Sequence, residues 1–332
     1  MKFIKEKYKQ LTILEKQRYI KTIKDKFERK LAKELDLVRV SAPLLVTKES
    51  GLQDDLSGVE RKVSFDILKD GKELEIVQSL AKWKRMALKK YNFGAGTGLY
   101  TDMNAIRRDE NTDALHSLYV DQWDWEKVIS ESDRNIEYLK EVVNDIYKVI
   151  YKIGVEVENK YPKLKNTLPK DIQFINSSEL EKMYPNLTQK ERENQVTKEY
   201  GAVFLNQIGW PLDSGTPHDG RAPDYDDWLL NGDILVWDEE LNLALELSSM
   251  GIRVNAESLQ KQVEYVKKYE KLENEYAQEV LNNTLPLTIG GGIGQSRLCM
   301  FFLKKKHIGE VQVSIWKDED IIELSKQNIN LL

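Results

Sequence analysis

Two acids, Asp233 and Glu246, stand in a stretch that reads as two strands and a turn: NGDILVW, then DEEL, then NLALELSSMGIR. Leu241, Leu243, Leu245 and Leu247 alternate onto one face, so Glu246 points to the other. A turn centred between Glu239 and Glu240 sets Asp233 directly opposite Glu246. Like charges facing each other across a strand pair are destabilising by up to roughly 1 kcal/mol, so the pair calls for a cation between them. Magnesium carrying nucleotide phosphates fits, because it takes one or two carboxylates and completes its shell with phosphate oxygens. Two acids pointing into water would read the same way.

The segment TIGGGIGQSRLCMFFL puts Gly290, Gly291, Gly292 and Gly294 directly before a helix whose inner face carries Leu298, Phe301 and Phe302. Glycine lets a ligand approach the backbone closely, and a helix start favours anions. Arg297, about one turn in, can reach a terminal phosphate with both arms of its guanidinium. A dinucleotide-binding unit is excluded, since too little chain follows for its second strand and ribose-binding acid. The glycines alone are equally consistent with a close helix-sheet contact. Upstream, Arg107 and Arg108 end one short strand, and the chain returns through LYVDQWDWE, where alternation puts Gln122 and Asp124 on one face and Asp121 and Trp123 on the other. An arginine at such a turn can bind an α-phosphate while the returning strand meets the substrate; RRDE by itself is also an ordinary surface charge cluster.

These residues need a frame. Leu11, Ile13, Leu14, Tyr19, Ile20, Ile23, Phe27, Leu31 and Leu35 recur every three to four positions and predict one long helix from Lys9 to about Asp36. VRVSAPLL follows as an edge or interface strand, because Pro43 cannot donate to a central ladder. Further strands are expected within 62–76, 98–106, 115–125, 202–208, 232–236 and 241–248, and helices within 79–90, 132–160, 178–198 and 256–282, then the glycine run and a last helix. Hairpin-length links between most strands, with helices outside, argue for an α+β fold: a mostly antiparallel central sheet flanked by helices, in one domain over residues 1–332.

Composition narrows the classes. The chain has 332 residues, 41% apolar and 32% charged, and no long uncharged apolar run, which makes the cytoplasm the default and a membrane partner unexpected. One cysteine, Cys299, and three scattered histidines supply neither a disulfide nor a zinc knuckle. A net charge of −5 lacks the global basic footprint of a nucleic-acid binder.

Taken in order, the three chemical segments resemble the signature motifs of class II aminoacyl-tRNA synthetases: the long helix up to Pro43 the dimer-forming first, RRDE with its return strand the second, GGGIGQSR the third. QSLAKWK and GDILVW with ELSSMGIR are similar to the aspartyl and asparaginyl branch. With QDDLSG, YVDQWDWE and RAPDYDDW added, the chain as a whole resembles the aspartate-ammonia ligases, the ammonia-dependent asparagine synthetases. One departure is the short link between Asp227 and Asn231, where a longer loop is expected in some relatives.

The resemblance implies a class II synthetase-like fold and an ATP-dependent ligase that makes L-asparagine from L-aspartate and free ammonia through a β-aspartyl-adenylate, releasing AMP and pyrophosphate. It implies ATP and Mg2+ as cofactors, a homodimer, and no nucleic-acid partner, since an anticodon-binding module does not fit ahead of the first-motif helix. Arg107 would hold the α-phosphate, Arg297 the γ-phosphate, Asp233 and Glu246 the metal, and Gly292 and Gly294 would line the nucleotide site. Lys84 and Arg253, which by the same resemblance clamp a side-chain carboxylate in the synthetases, would here bind the α-carboxylate, leaving the β-carboxylate at the phosphorus. Asp54, Gln122 and Asp226 would serve the amino group and incoming ammonia, with Asp124, Ser79, Ser248 and Ser249 as further substrate contacts. Lys84 on spacing alone is one lysine among Lys82, Lys84 and Lys89. Two alternatives stay open: an adenylate-forming enzyme with another acceptor, and a catalytically silent synthetase-like regulatory module.

Overall fold

The computed structural model describes residues 11–53, 56 and 60–332. The first long helix, α1 (Ile13–Leu35), starts where Thr12 and Glu15 form a reciprocal capping box and stops where Asp36 turns left-handed. It buries Ile20, Ile23, Phe27, Leu31 and Leu35, the three-to-four spacing seen in the sequence. The expected start at Lys9 lies outside the described residues.

The main sheet has eight strands in the order β1 (Leu37–Arg39), β5 (Gly98–Ile106), β6 (Tyr119–Val128), β11 (Thr288–Gly294), β10 (Leu243–Arg253), β9 (Asp226–Asp238), β8 (Ala202–Asn206) and β7 (Gln173–Asn176). From β5 to β8 every neighbour is antiparallel; the outermost pairs, β1 with β5 and β7 with β8, are parallel. The mostly antiparallel α+β reading therefore holds, with β7 and the two parallel edges added. A small antiparallel sheet, β2 (Leu45–Thr47), β4 (Glu73–Ile76) and β3 (Val63–Asp66), stands apart.

One face of the main sheet is closed by α1, α3 (Ile136–Lys160) and α8 (Gln295–Phe302), which share a core with Trp123, Trp125, Leu245, Met250 and Ile293. The opposite face is covered toward the β7 side by α4 (Ser177–Met183) and α5 (Gln189–Tyr200) and toward the β5 side by α2 (Ala81–Lys90). Between these covers the sheet centre lies open. The helix expected over 178–198 is two helices, because Pro185 and Asn186 interrupt it and Thr188 caps the second. The region 256–282 likewise divides into α6 (Ala256–Val266) and α7 (Glu275–Leu281). The helix after the glycines is followed by another, α9 (Asp318–Lys326), whose residues are all at least partly exposed and which core periodicity therefore did not mark. No described helix is long and apolar enough to cross a membrane.

Candidate active site

The glycine run is not a loop. Gly290 to Gly294 form the central strand β11, paired on one side with β6 (Gly290 with Glu126, Gly292 with Asp124, Gly294 with Gln122) and on the other with β10. None of these glycines has a positive φ, so conformation does not require them. Space does. A Cβ on Gly290 would overlap Glu126 Oε2, and one on Gly292 would overlap Gln122 Oε1 and stand 2.8 Å from Asp124 Oδ1. Three polar side chains of β6 thus fold flat across Gly290, Gly292 and Gly294, which carry no side chains on that face, and this opens the sheet centre to a ligand.

The result is a cleft of about 600 Å³ over β6, β11 and β10. Of the residues singled out in the sequence, Ser79, Lys84, Arg107, Gln122, Asp124, Asp226, Glu246, Ser249, Gly292, Gly294, Arg253 and Arg297 all line it. Asp54 lies outside the described residues. Ser248 and Asp233 do not line the cleft, and for Ser248 an irregularity of register accounts for this. The turn joining β9 to β10 is set by Asp238, whose carboxylate accepts from Glu240 N and Leu241 N, and by Asn242 in a left-handed conformation. Leu243 therefore pairs with Asp238, Glu246 faces Leu235, and after a bulge at Leu247 it is Ser249 that pairs with Asp233. The expected Asp233–Glu246 register is corrected accordingly. A bulge reverses the parity of a strand, so Glu246 and Ser249 share the cleft face while Ser248 turns into the sheet, buried, its hydroxyl without a partner.

The repulsion foreseen between the two acids survives this shift: Glu246 helps to raise the Asp233 carboxyl. A cation does answer it, and it belongs to the protein. Arg221, from the segment before β9, donates to Asp233 Oδ2 through Nη2 and to Asp219 Oδ2 through Nη1 at 2.9 Å. Burial pushes Asp233 up to about 7 even so; Arg221 and the Ser249 hydroxyl oppose this, Glu246 adds to it, and among the described residues buried Oδ1 has no hydrogen bond of normal geometry. Glu246, its side chain 40% exposed, lies 3.7 Å from Arg297 Nη1. Arg107, at the start of the β5–β6 connection, has among the described residues a 3.9 Å ion pair with Glu110 as its side-chain contact, and its buried Nε has no partner there.

At the other end of the cleft the side chains are locked. Lys84 Nζ reaches Asp124 Oδ2 at 3.0 Å and Gly291 O at 2.9 Å. Arg253 grips Glu126 through Nε (2.9 Å) and Nη2 (2.8 Å) and bonds Asp226 through Nη1. Thr288 Oγ1 completes the shell of Glu126 at 2.7 Å. Burial by itself would raise Glu126, but the charges of Arg253 and Lys84 and these hydrogen bonds hold it below its ordinary value; Asp226, where burial outweighs Arg253, is raised. Asp124 Oδ1 is buried beside Gly292 and, among the described residues, unpartnered. Of the reading that Lys84 is a solvated lysine, nothing remains: it is 1% exposed. Glu126 and Arg221 were overlooked. Glu126 shares the parity of Gln122 and Asp124 and was open to discovery on that ground, whereas Arg221 sits on an irregular segment whose spacing says nothing about direction.

A family model described as aspartate-ammonia ligase matches residues 14–328. The chain belongs to the aspartate-ammonia ligase family. The aspartate-ammonia ligase of Fusobacterium nucleatum subsp. nucleatum is 60% identical over 97% of this chain and 98% of its own length. That of Bacillus cytotoxicus is 57% identical over 97% and 98%, and that of Clostridium tetani 57% over 94% and 92%. Among solved structures, an Entamoeba histolytica asparaginyl-tRNA synthetase in complex with asparaginyl-adenylate superposes with a TM-score of 0.62 at 14% identity, covering 90% of this chain and 66% of that one. A Pyrococcus horikoshii asparaginyl-tRNA synthetase complexed with asparaginyl-adenylate gives 0.62 at 16%, covering 89% and 67%. The fold of this ligase-family chain is thus the class II aminoacyl-tRNA synthetase fold.

Proposed function

We propose that the chain joins L-aspartate to ammonia with ATP, forming L-asparagine, AMP and pyrophosphate through a β-aspartyl-adenylate. The observation that carries this reading is one cleft with two guanidiniums, Arg107 and Arg297, at its nucleotide end and the Lys84–Arg253 pair at the other, in a chain of the aspartate-ammonia ligase family. Lys84 and Arg253 receive the α-carboxylate, and Asp124 Oδ1, which has no partner among the described residues, takes the amino group with Gln122 and Asp226 beside it. The β-carboxylate then faces the phosphates. One of its oxygens attacks the α-phosphorus, whose bond to the bridging oxygen of pyrophosphate breaks. Ammonia next forms a bond to the carbonyl carbon, the bond to AMP breaks, and nitrogen loses a proton. Arg107 neutralises charge at the α-phosphate and Arg297 at the γ-phosphate, where fixed charges lower the barrier without reorganising. Asp54 and Ser79 belong to the amino-acid end of the same reading, Ser249, Gly292 and Gly294 to the wall beneath the nucleotide.

A magnesium ion suits this end of the cleft. Among the described residues no group of three or more His, Cys, Asp or Glu is placed to hold a metal, but Asp233, with an unpartnered oxygen, and the cleft-facing Glu246 supply the one or two carboxylates that magnesium takes beside phosphate oxygens. When bound, it supplies charge neutralisation on the polyphosphate. The same reading covers a single catalytic domain, a cytoplasmic enzyme without a nucleic-acid partner, and a homodimer formed by α1 and the stretch through Pro43, where exposed Val38, Leu44 and Leu45 lend support.

Purified protein given aspartate, ATP, magnesium and ammonium is expected to yield asparagine with stoichiometric AMP and pyrophosphate. ADP and phosphate, or steady AMP release that ammonium does not accelerate and that yields no asparagine, would overturn the reading.

A further inference from the structure

Three arginines of the cleft are accounted for by the proposed chemistry, and Arg221 is not. It precedes β9 on the segment Asp219–Tyr225, lines the cleft, and stands within electrostatic reach of Glu246, as does Arg297. A plain structural explanation is that its bond to Asp233 ties this segment to the sheet. The segment, however, is already pinned at four consecutive residues. Trp228 Nε1 donates to Ala222 O at 3.3 Å and Gln262 Nε2 to Pro223 O at 2.9 Å. Asp224 is held by Lys82 and Lys271, and Val254 N donates to Tyr225 O at 3.0 Å. The backbone carrying Arg221 is thus fixed without it, and only the side chain is left to adjust.

The bonds that Arg221 makes are of an exchangeable kind. It gives one nitrogen to each of two different acids instead of both arms to one, and one of those acids, Asp219, has a side chain 60% exposed. The other, Asp233, keeps Oδ1 buried and, among the described residues, without a hydrogen bond of normal geometry, the Ser249 hydroxyl being its neighbour. An acid with an unused oxygen and an arginine able to turn on a fixed backbone form a pair that an incoming cation and its phosphate can take apart: the acid goes to the metal and the guanidinium to the anion, which it can bind in forked geometry.

We infer that Arg221 is a third phosphate-binding arginine, which leaves Asp233 to bind the β- and γ-phosphates of ATP and stays with the pyrophosphate formed from them. The inference rests on the ligase reading above and adds a residue to its leaving-group end. Because AMP lacks the phosphates concerned, Arg221 discriminates ATP from AMP, which a residue that only steadies the fold does not.

The test is calorimetric binding of ATP, AMP and inorganic pyrophosphate to the full chain in saturating magnesium, for the wild type, Arg221→Gln and Arg221→Lys. Arg221→Gln is expected to lower the ratio of ATP to AMP affinity at least tenfold and to weaken pyrophosphate comparably, with AMP within twofold of wild type. A smaller fall in the ratio, or equal weakening of ATP and AMP, overturns the inference. Should Arg221→Gln fail to fold, Arg221→Lys, which keeps the charge and loses the fork, decides on the same ratio: a drop of threefold or more supports the assignment and less refutes it. A wild type that binds no ATP would instead overturn the ligase reading itself, so the two failures are distinct.

Discussion

Replacing Glu126 with glutamine tests the site at its most enclosed point. Glu126 is fully buried, and both its oxygens are committed: Oε1 to Arg253 Nε and Thr288 Oγ1, Oε2 to Arg253 Nη2. Glutamine has the same shape but turns one oxygen into an NH2 group, so a donor of Arg253 meets a donor. Removing one partner of a buried ion pair costs about 3–5 kcal/mol. Asp226 remains as a second acid on Nη1, which places this variant near the lower end, about 3 kcal/mol. With an unfolding entropy of about 2.1 cal/mol/K per residue, 332 residues amount to roughly 0.7 kcal/mol/K, and the melting temperature falls by about 4 °C. The functional effect is larger, because Arg253 loses its orientation toward the proposed α-carboxylate. KM for aspartate is expected to rise at least tenfold, with KM for ATP within twofold of wild type. Calorimetric unfolding and steady-state kinetics measure both. A Glu126→Gln protein that melts within a degree of wild type and takes aspartate with wild-type KM would refute the view that this carboxylate aims the clamp.

Gly292→Ala drives a methyl group against Gln122 Oε1 and Asp124 Oδ1; overpacking of this kind costs about 1–3 kcal/mol, and kcat/KM for aspartate should drop at least tenfold, whereas unchanged kinetics would mean that β11 is glycine-rich for some other reason. Glu246→Gln should raise the magnesium concentration needed for half-maximal rate at least tenfold, and a wild-type magnesium profile would leave Glu246 as a mere solvated acid. Burial pushes the Cys299 thiol up to about 12, so near neutral pH the folded protein holds almost no thiolate. Labelling with an aromatic disulfide at pH 8 is expected to be at least a hundredfold slower in native than in unfolded protein, and rapid native labelling would contradict the packing around α8.

Much of this protein is determined by local pattern. The spacing of Ile20, Ile23, Phe27, Leu31 and Leu35 dictates α1 together with its buried stripe, and alternation in YVDQWDWE assigns Gln122 and Asp124 to one face and Trp123 to the core. Such periodicities follow from backbone geometry alone and need no knowledge of neighbours. Gathering Lys84, Arg107, Arg253 and Arg297 around one cleft was foreseen through the resemblance to the synthetases, and the fold places all four there. Tertiary structure decided the rest. The parity of β10 depends on a bulge at Leu247 and on how Asp238 and Asn242 shape the turn, which moved Asp233 opposite Ser249 and turned Ser248 inward. The glycine run became a strand because Gln122, Asp124 and Glu126 need the space that side chains would fill. Arg221 reached Asp233 from an irregular segment held by distant partners, Gln262, Lys82 and Lys271. Register, close approach and the aim of a side chain on a loop are all relations between segments far apart in the chain, and no periodicity within one segment encodes them.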